Sequence, residues 1–269
     1  MTTDVVSAEA PGVRITACRR GAHLMTWTTE GVERLWMSPL SRPGQEEALR
    51  GGVPVLFPQF GTFGALPKHG FARTAEWQEA AVAATPDRAA LAFELSDSEA
   101  TRAIWPHPFR ARLEVDASAT ELRIGLFVDN PSHETERFTA GLHTYFAVAD
   151  PDAWIEGLNG MHAWDGDSTD APRFSVRLGE RVRALDTQDL VVQGAVAPLV
   201  LHDSELGDLH VAGRGFPNRV VWNPGPGHGL SDVADGDEAR FVCIETIAVA
   251  PIPLPGGGTW EGRQRVFLS

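Results

Sequence analysis

Apolar and polar residues alternate with a period of two along several short segments of the chain. The alternation is found in Leu91–Leu95, Arg112–Val115 and Glu121–Val128, and again in Arg219–Trp222 and Arg240–Glu245. This period is typical of strands that bury one face and leave the other in contact with water. The pattern therefore predicts antiparallel strands along most of the chain.

Turn-forming residues separate these segments. The 27 glycines and 19 prolines lie between short runs, a distribution typical of sandwiches and barrels. Helical periodicity is weak, and Gln45–Leu49 and Ser204–Leu209 are each long enough for one turn only. We therefore predict an all-β fold of antiparallel strands. No linker-like change in composition divides residues 1–269, so we predict a single domain.

Composition and charge narrow the class of protein. The chain is 43% hydrophobic and 22% charged, which is ordinary for a soluble globular protein. No run of 18 apolar residues and no secretory signal is present, which favours a cytoplasmic protein. Its two cysteines, Cys18 and Cys243, are expected to be thiols, although the sequence leaves a disulfide open.

The net charge of −13 argues against nucleic acids and anionic membranes as partners. It also repels anionic small molecules, so an anionic ligand would need locally concentrated positive charge. Arg50 precedes a Gly-Gly turn, and the segment that follows carries Lys68, His69 and Arg73. These groups suit an anionic or polyhydroxylated ligand. The alternative is a set of surface arginines in weak salt bridges.

Two further residues are candidates for proton transfer. His143 lies in Gly141–Phe146, beside the only tyrosine of the chain, and histidine is the usual general acid or base at neutral pH. By alternation, Glu245 shares a strand face with Phe241 and Cys243, so burial would raise the pKa of its carboxyl group. The alternatives are a core histidine and a glutamate at a solvent-exposed strand end.

Other sites and schemes find little support. The chain has no Gly-x-Ser-x-Gly elbow, no Gly-rich phosphate loop and no His-Glu-x-x-His motif, and no metal site stands out. The acidic segment Ser231–Glu238 lacks the spacing of a calcium loop, so we expect it to be solvated and mobile. His107, between two prolines, is expected to be structural.

Six segments, taken in order, resemble the hexose-6-phosphate mutarotase (glucose-6-phosphate 1-epimerase) branch of the aldose 1-epimerase family. Each is weak alone, but their common order along most of the chain makes the resemblance specific. It implies a β-supersandwich of the galactose-mutarotase type with the sugar in an open cleft. The segments are Arg50–Gly61, Leu66–Arg73, Trp105–Phe109, Leu142–Phe146, Val221–Pro226 and Phe241–Thr246.

The resemblance also implies roles for individual residues. His143 matches the general acid and Glu245 the general base, while Arg50 and Arg73 match positions that contact the substrate phosphate. His69 matches a histidine that touches the sugar. No metal or other cofactor is expected.

Two departures from the family pattern affect substrate recognition. The family commonly has Gln where this chain has Lys68, a change that favours an anionic substrate. The family's substrate-binding Asp lies in a segment resembling Thr-Asp-Arg-Val-Tyr, whereas this chain reads Leu185–Val192, without the Arg and Tyr. Either Asp186 or Asp189 is a candidate for that role.

We therefore expect a monomeric enzyme that interconverts the α and β anomers of a hexose 6-phosphate, with the sugar phosphate as its small-molecule partner. One alternative is an aldose 1-epimerase that acts on unphosphorylated sugars. Another is a non-catalytic carbohydrate-binding sandwich that stacks sugars on some of the eight tryptophans. A glycoside-processing sandwich is a third, but no convincing second carboxylate supports it.

Overall fold

Short antiparallel strands dominate the computed structural model, which describes residues 4–166, 176–194 and 197–269. These residues also form one α-helix, α1, and two 3₁₀ turns. The strands are β1 (Val5–Ala10), β2 (Val13–Cys18), β3 (His23–Thr29), β4 (Val32–Glu33), β5 (Val55–Leu56), β6 (Gln78–Ala84), β7 (Ala89–Ser96), β8 (Arg110–Ala117), β9 (Glu121–Asp129), β10 (Glu136–Leu142), β11 (Tyr145–Ala147), β12 (Trp154–Glu156), β13 (His162–Asp165), β14 (Val176–Arg177), β15 (Val182–Arg183), β16 (Gln188–Gln193), β17 (Leu199–His202), β18 (Leu209–Arg214), β19 (Asn218–Asn223), β20 (Phe241–Leu254) and β21 (Thr259–Leu268). The helix α1 is Glu99–Ile104, and the 3₁₀ turns are Ala72–Thr74 and Asp237–Arg240.

The strands form three sheets. A four-stranded sheet has the order β1-β2-β3-β4, and a nine-stranded sheet has the order β15-β12-β17-β18-β21-β9-β8-β7-β6. An eight-stranded sheet has the order β14-β13-β16-β19-β20-β10-β5, with β11 also paired to β20. The predicted all-β, antiparallel fold is therefore confirmed, while the single domain stays a prediction.

The five segments with alternating patterns all lie in or overlap strands, namely β7, β8, β9, β19 and β20. The weak helical predictions were less accurate. Gln45–Leu49 forms no helix, and Ser204–Leu209 contains only a turn, in which the Gly207 N–H donates to the Asp203 carbonyl. The sequence prediction missed α1, whose N-cap Ser98 forms a reciprocal capping box with Thr101.

The main core contains residues from all three sheets, and β20 shows how it relates to the eight-stranded sheet. Val242 and Ile244 of β20 pack in this core. Phe241 and Cys243 lie on the opposite face, in a smaller aromatic cluster. Since side chains alternate along a strand, Glu245 shares the face of Phe241 and Cys243. One face of the eight-stranded sheet thus packs in the main core, and its other face carries the aromatic cluster together with Glu245.

Two simpler predictions can be compared with the structure directly. Cys18 and Cys243 are both buried, free thiols, so the expectation of two thiols is confirmed. Among the described residues, no helix has both the length and the apolar character needed to cross a membrane.

Candidate active site

A break between two strands brings His143 opposite Glu245. Strands β10 and β11 both pair with β20, through Leu142 opposite Thr246 and Tyr145 opposite Cys243. The register is continuous across the break, so the intervening His143 lies directly across from Glu245. Its backbone N–H donates to the Pro54 carbonyl at 3.1 Å, in register with the pairing of β10 and β5.

His143 and Glu245 form a close, buried pair. Nε2 of His143 lies 3.4 Å from Oε1 of Glu245, and the two residues are 9% and 2% exposed. The other polar atoms of the pair, His143 Nδ1 and Glu245 Oε2, find no hydrogen-bond partner among the described residues. Among the described residues, the two groups therefore have only each other as polar side-chain partners.

Burial shifts the pKa values of this pair in opposite directions. It raises the pKa of the Glu245 carboxyl well above its ordinary value, and the negative charge of Asp189 adds to the shift. It lowers the pKa of His143 well below its ordinary value, as do His69 and Arg50. Both shifts favour the neutral forms, a protonated carboxyl beside a neutral imidazole, so the pair has one proton to transfer.

Aromatic rings fix the orientation of the His143 imidazole. The Tyr145 ring stacks on it with centroids 4.7 Å apart and an interplanar angle of 5°. Trp222 meets it edge to face at 5.9 Å. Tyr145 and Phe146 both follow His143 closely in the sequence, but the Phe146 ring packs in the main core instead of beside the imidazole. Trp222, 79 positions further along the chain, supplies the second ring.

His69 presents a fixed hydrogen-bond donor to the same cavity. Its backbone has φ +67°, in the left-handed region that is uncommon for residues other than glycine. Nδ1 of His69 accepts a hydrogen bond from the Gly61 N–H at 3.1 Å, so Nε2 carries the proton. Burial, with the positive charges of Arg73 and Lys68, lowers the pKa of His69 to about 3. The ring is therefore neutral and can donate through Nε2.

The Gly-Gly turn after Arg50 directs that arginine into the cavity. Gly52 has φ +56°, and a Cβ there would lie 2.2 Å from the Leu24 carbonyl oxygen, so only glycine fits. Nε of Arg50 donates to Asp232 Oδ2 at 3.0 Å, and Nη1 donates to the Tyr145 hydroxyl at 2.9 Å. Burial acts to lower the pKa of Arg50, but Tyr145 and Asp232 outweigh it and raise the pKa.

Asp232 belongs to the acidic segment Ser231–Glu238, which is only partly solvated: Ser231 and Asp235 are exposed, whereas Val233 and Asp237 are buried. Val233 is only 3% exposed and packs with Trp36 and Phe241, which ties the segment to the protein. Alternation and charge alone could not reveal the contact with Trp36, because that residue lies far away in the sequence.

Lys68 and Arg73 provide two further cations at the cavity. Lys68 is exposed and Arg73 is half-buried, and Arg73 donates to the Lys68 carbonyl at 3.0 Å. Neither side chain forms an ion pair with a residue in the described part of the chain, in contrast to Arg50. They therefore remain available to an anionic ligand.

The structure separates the two candidate aspartates. Asp189 lies on β16, opposite Trp222 of β19, and lines the cavity. Asp186 is exposed, lies 3.5 Å from Nε of Arg183 and does not line the cavity. His107, expected to be structural, also lies outside the cavity, against the Trp105 ring.

These residues converge on one cavity of about 1040 Å³, large enough for a sugar phosphate. Its apolar walls include Phe60, Phe63 and Trp164, and Trp222 lies beside the His143–Glu245 pair. In the ranges that the structure describes, no group of three or more His, Cys, Asp or Glu side chains is arranged to hold a metal ion. The candidate residues that line the cavity are Arg50, Lys68, His69, Arg73, His143, Asp189 and Glu245.

Sequence reasoning missed a residue that holds the rim of this cavity in place. The Gln59 side chain donates to the carbonyls of Gly61 and Leu66 and accepts from the Leu66 N–H. This amide closes the loop that leads to Lys68 and His69. Gln59 lies in one of the six motif segments, but nothing in its local pattern distinguishes it from a surface glutamine.

The chain matches the aldose 1-epimerase family over residues 4–266. A protein of Salmonella typhimurium named as a candidate glucose-6-phosphate 1-epimerase is 34% identical over 92% of this chain and 84% of its own length. One of the same name from Escherichia coli is 33% identical over 90% of this chain and 82% of its own length.

Solved structures agree with these similarities. The crystal structure of a candidate mutarotase from Salmonella typhimurium superposes with a TM-score of 0.87 at 31% identity, covering 98% of this chain and 90% of that one. A galactose mutarotase related enzyme from Lactobacillus acidophilus has a TM-score of 0.75 at 18% identity, covering 98% of this chain and 97% of that one, and shows the shared fold alone. The galactose-mutarotase-like fold expected from the sequence is thereby confirmed.

Proposed function

The chain belongs to the aldose 1-epimerase family, whose members are isomerases, and from that premise we propose that it interconverts the α and β anomers of a hexose 6-phosphate. Glucose 6-phosphate is the substrate that we favour. The relatives at 31–34% identity carry names of candidate glucose-6-phosphate 1-epimerases, which supports this choice.

One observation carries the phosphate assignment. Lys68 and Arg73 line the cavity without an ion-pair partner among the described residues, although the protein has a net charge of −13. Cations in so acidic a protein are easily paired, and two that stay unpaired beside a cavity favour an anionic ligand. A phosphate group on C6 would supply that anion at a distance from the reacting C1.

The proposed reaction uses the His143–Glu245 pair as acid and base. Glu245 accepts the proton of the C1 hydroxyl, and His143 donates a proton to the ring oxygen as the bond between C1 and that oxygen breaks. The open-chain aldehyde then rotates about the bond between C1 and C2, and closure from the other face gives the second anomer. Each proton transfer contributes about 10²–10⁴-fold to the rate.

The arrangement of the pair suits this chemistry. The C1 hydroxyl and the ring oxygen are bonded to the same carbon, so their acid and base must also be neighbours. His143 Nε2 and Glu245 Oε1, 3.4 Å apart, can therefore contact both sugar oxygens together. Transfer of the shared proton from Glu245 to His143 leaves a carboxylate that can accept a proton and an imidazolium that can donate one. After ring opening Glu245 again carries a proton and His143 is neutral, so the pair can catalyse ring closure in the reverse direction.

The remaining cavity residues orient the sugar. The neutral His69 donates through Nε2 to a sugar oxygen, and Asp189 accepts hydrogen bonds from sugar hydroxyls. Lys68, Arg73 and Arg50 hold the phosphate, which turns binding energy at C6 into positioning at C1. Asp186 has no part in this account because it lies outside the cavity.

One observation favours the second candidate, an aldose 1-epimerase for unphosphorylated sugars. Arg50 already has an acidic partner in Asp232, so only two of the three cations are unpaired. The contribution of Arg73 to substrate binding distinguishes the two candidates. Arg73 would bind the phosphate of a hexose 6-phosphate, whereas an unphosphorylated hexose has no anionic group for it to bind.

The test is Arg73→Ala, assayed on glucose 6-phosphate and on free glucose, with Arg110→Ala, an exposed arginine of β8, as the matched control. We expect KM for glucose 6-phosphate to rise about 10- to 100-fold, because a charge-assisted hydrogen bond to the phosphate is lost. KM for glucose should change little. Equal changes for both sugars would contradict the phosphate assignment. A monomeric state and a cytoplasmic location also stay predictions.

A further inference from the structure

Asp232 already accepts a hydrogen bond from one of the N–H groups of the Arg50 guanidinium. Its Oδ2 accepts from Nε of that guanidinium at 3.0 Å, while Tyr145 accepts from Nη1. Arginine binds phosphate and carboxylate most strongly through two parallel N–H groups, and a fork that approaches from the side of the guanidinium needs Nε. A phosphate and Asp232 therefore compete for the same edge of Arg50.

The ion pair between Arg50 and Asp232 can be broken at a small cost in free energy. The side chains of Arg50 and Asp232 are 24% and 37% exposed, so solvent screens their attraction. Asp232 has no other hydrogen bond in the described part of the chain. Its neighbour Val233 is buried against Trp36 and Phe241, which keeps the backbone in place. Rotation of one side chain is enough to uncover Arg50.

The charge of the cavity makes the exchange favourable for one class of ligand. With Asp232 in place, Arg50 is ion-paired, whereas Lys68 and Arg73, which line the same cavity, have no ion-pair partner among the described residues. A doubly charged phosphate offers more hydrogen-bond acceptors than this carboxylate and reaches the two unpaired cations as well. A neutral sugar hydroxyl cannot compete with a carboxylate for a guanidinium.

We propose that Asp232 is a specificity residue that occupies the phosphate-binding edge of Arg50 in the ligand-free enzyme and is displaced by the phosphate of the substrate. This inference rests on the proposed function. It assigns a role to the acidic segment Ser231–Glu238, which restrains Arg50 until a ligand with a stronger anionic group enters. Neutral sugars leave the ion pair in place.

The test measures the binding of inorganic phosphate to the whole protein by ³¹P NMR line broadening. Asp232→Asn removes the charge and keeps the shape, and Asp235→Asn removes one charge from an exposed position of the same segment. Both variants are also prepared with Arg50→Gln. We expect Asp232→Asn to bind phosphate roughly two- to fivefold more tightly than the wild type, the fold-change expected from losing a competing half-exposed ion pair.

The controls separate the exchange from other causes. Asp235→Asn should leave phosphate binding unchanged, and the gain from Asp232→Asn should disappear in the Arg50→Gln background. Unchanged or weaker binding in Asp232→Asn overturns the proposal, because Asp232 would then only orient Arg50. Equal tightening in Asp235→Asn also overturns it, since net charge alone would explain the effect.

A kinetic measurement keeps this inference distinct from the proposed function. KM for glucose 6-phosphate should fall in Asp232→Asn by the same factor as the phosphate dissociation constant. Absence of mutarotation by the wild-type protein on any sugar would refute the proposed function, and the phosphate titration would still decide the exchange because it needs no turnover.

Discussion

Replacing Glu245 by glutamine removes a proton acceptor and a titratable group while keeping the shape of the side chain. Glu245 is 2% exposed, and its Oε1 lies 3.4 Å from His143 Nε2, so an amide fits the same space. The rate of mutarotation should fall by about 10²–10⁴-fold, the usual contribution of a general base. The fold should persist, because no described residue other than His143 forms an ion pair with this carboxylate.

The same substitution changes how stability depends on pH. Burial raises the pKa of Glu245 well above its ordinary 4.5, so above pH 4.5 the folded protein keeps a proton that the unfolded chain has lost. The carboxyl therefore contributes stability that is fully present below pH 4.5 and is lost as the pH rises towards the folded pKa. In this window the unfolding free energy of the wild type falls by about 1.4 kcal/mol per pH unit. Glu245→Gln has no carboxyl at this position, so its unfolding free energy lacks this decrease.

The assay is urea unfolding of both proteins at half-unit steps between pH 5 and pH 8, together with their rates on glucose 6-phosphate. The stability of Glu245→Gln relative to the wild type should increase steadily with pH. His143, whose pKa is lowered, gives both proteins an opposite slope that cancels in the difference. Glu94→Gln makes the same replacement at an exposed position of β7 and serves as the control, so it should keep full activity.

Two results would contradict these properties of Glu245. A stability difference that stays flat from pH 5 to pH 8 would mean that burial does not raise the pKa of Glu245. A rate within a few-fold of the wild type would mean that Glu245 is not the base.

Three further substitutions test the rest of the site. Asp189→Asn should lower kcat/KM at least about tenfold through loss of a charge-assisted hydrogen bond, whereas Asp186→Asn, outside the cavity, should have no effect in the same assay. Lys68→Gln should raise KM for glucose 6-phosphate roughly two- to fivefold at low salt and less at high salt, because Lys68 is exposed; a salt-independent change would contradict its electrostatic role. In Gly70→Ala a Cβ would lie 2.2 Å from a main-chain oxygen, whereas Gly207→Ala has open space around its Cβ. Urea unfolding should therefore show a loss of unfolding free energy in Gly70→Ala well above the roughly 1–3 kcal/mol of backbone strain expected for Gly207→Ala. Equal losses in the two variants would contradict the clash.

Local patterns predicted the strands and the faces of β20 well. The alternation in Arg240–Glu245 correctly grouped Glu245 with Phe241 and Cys243, because side chains must alternate along any strand. The helix α1 was missed because it has only six residues, too few to show a helical period. Its capping residues Ser98 and Thr101 were the available signal.

Contacts between distant segments could not be predicted from local pattern. Arg50 and Asp232 are 182 positions apart, and no periodicity relates them. The choice between Asp186 and Asp189 likewise depended on which residue lies opposite Trp222 in the sheet. The resemblance to the family named most of the cavity residues, but the fixed tautomer of His69 and the ion pair of Arg50 required the three-dimensional arrangement.

The proposed mutarotation can be measured as the approach of freshly prepared α-glucose 6-phosphate to anomeric equilibrium, followed by NMR exchange with the wild type and His143→Ala side by side. We expect the wild type to accelerate the exchange and His143→Ala to lose most of this acceleration, because the imidazole that lies 3.4 Å from Glu245 is then missing. No acceleration by the wild type on glucose 6-phosphate, glucose or galactose would contradict the account and favour a non-catalytic sugar-binding protein.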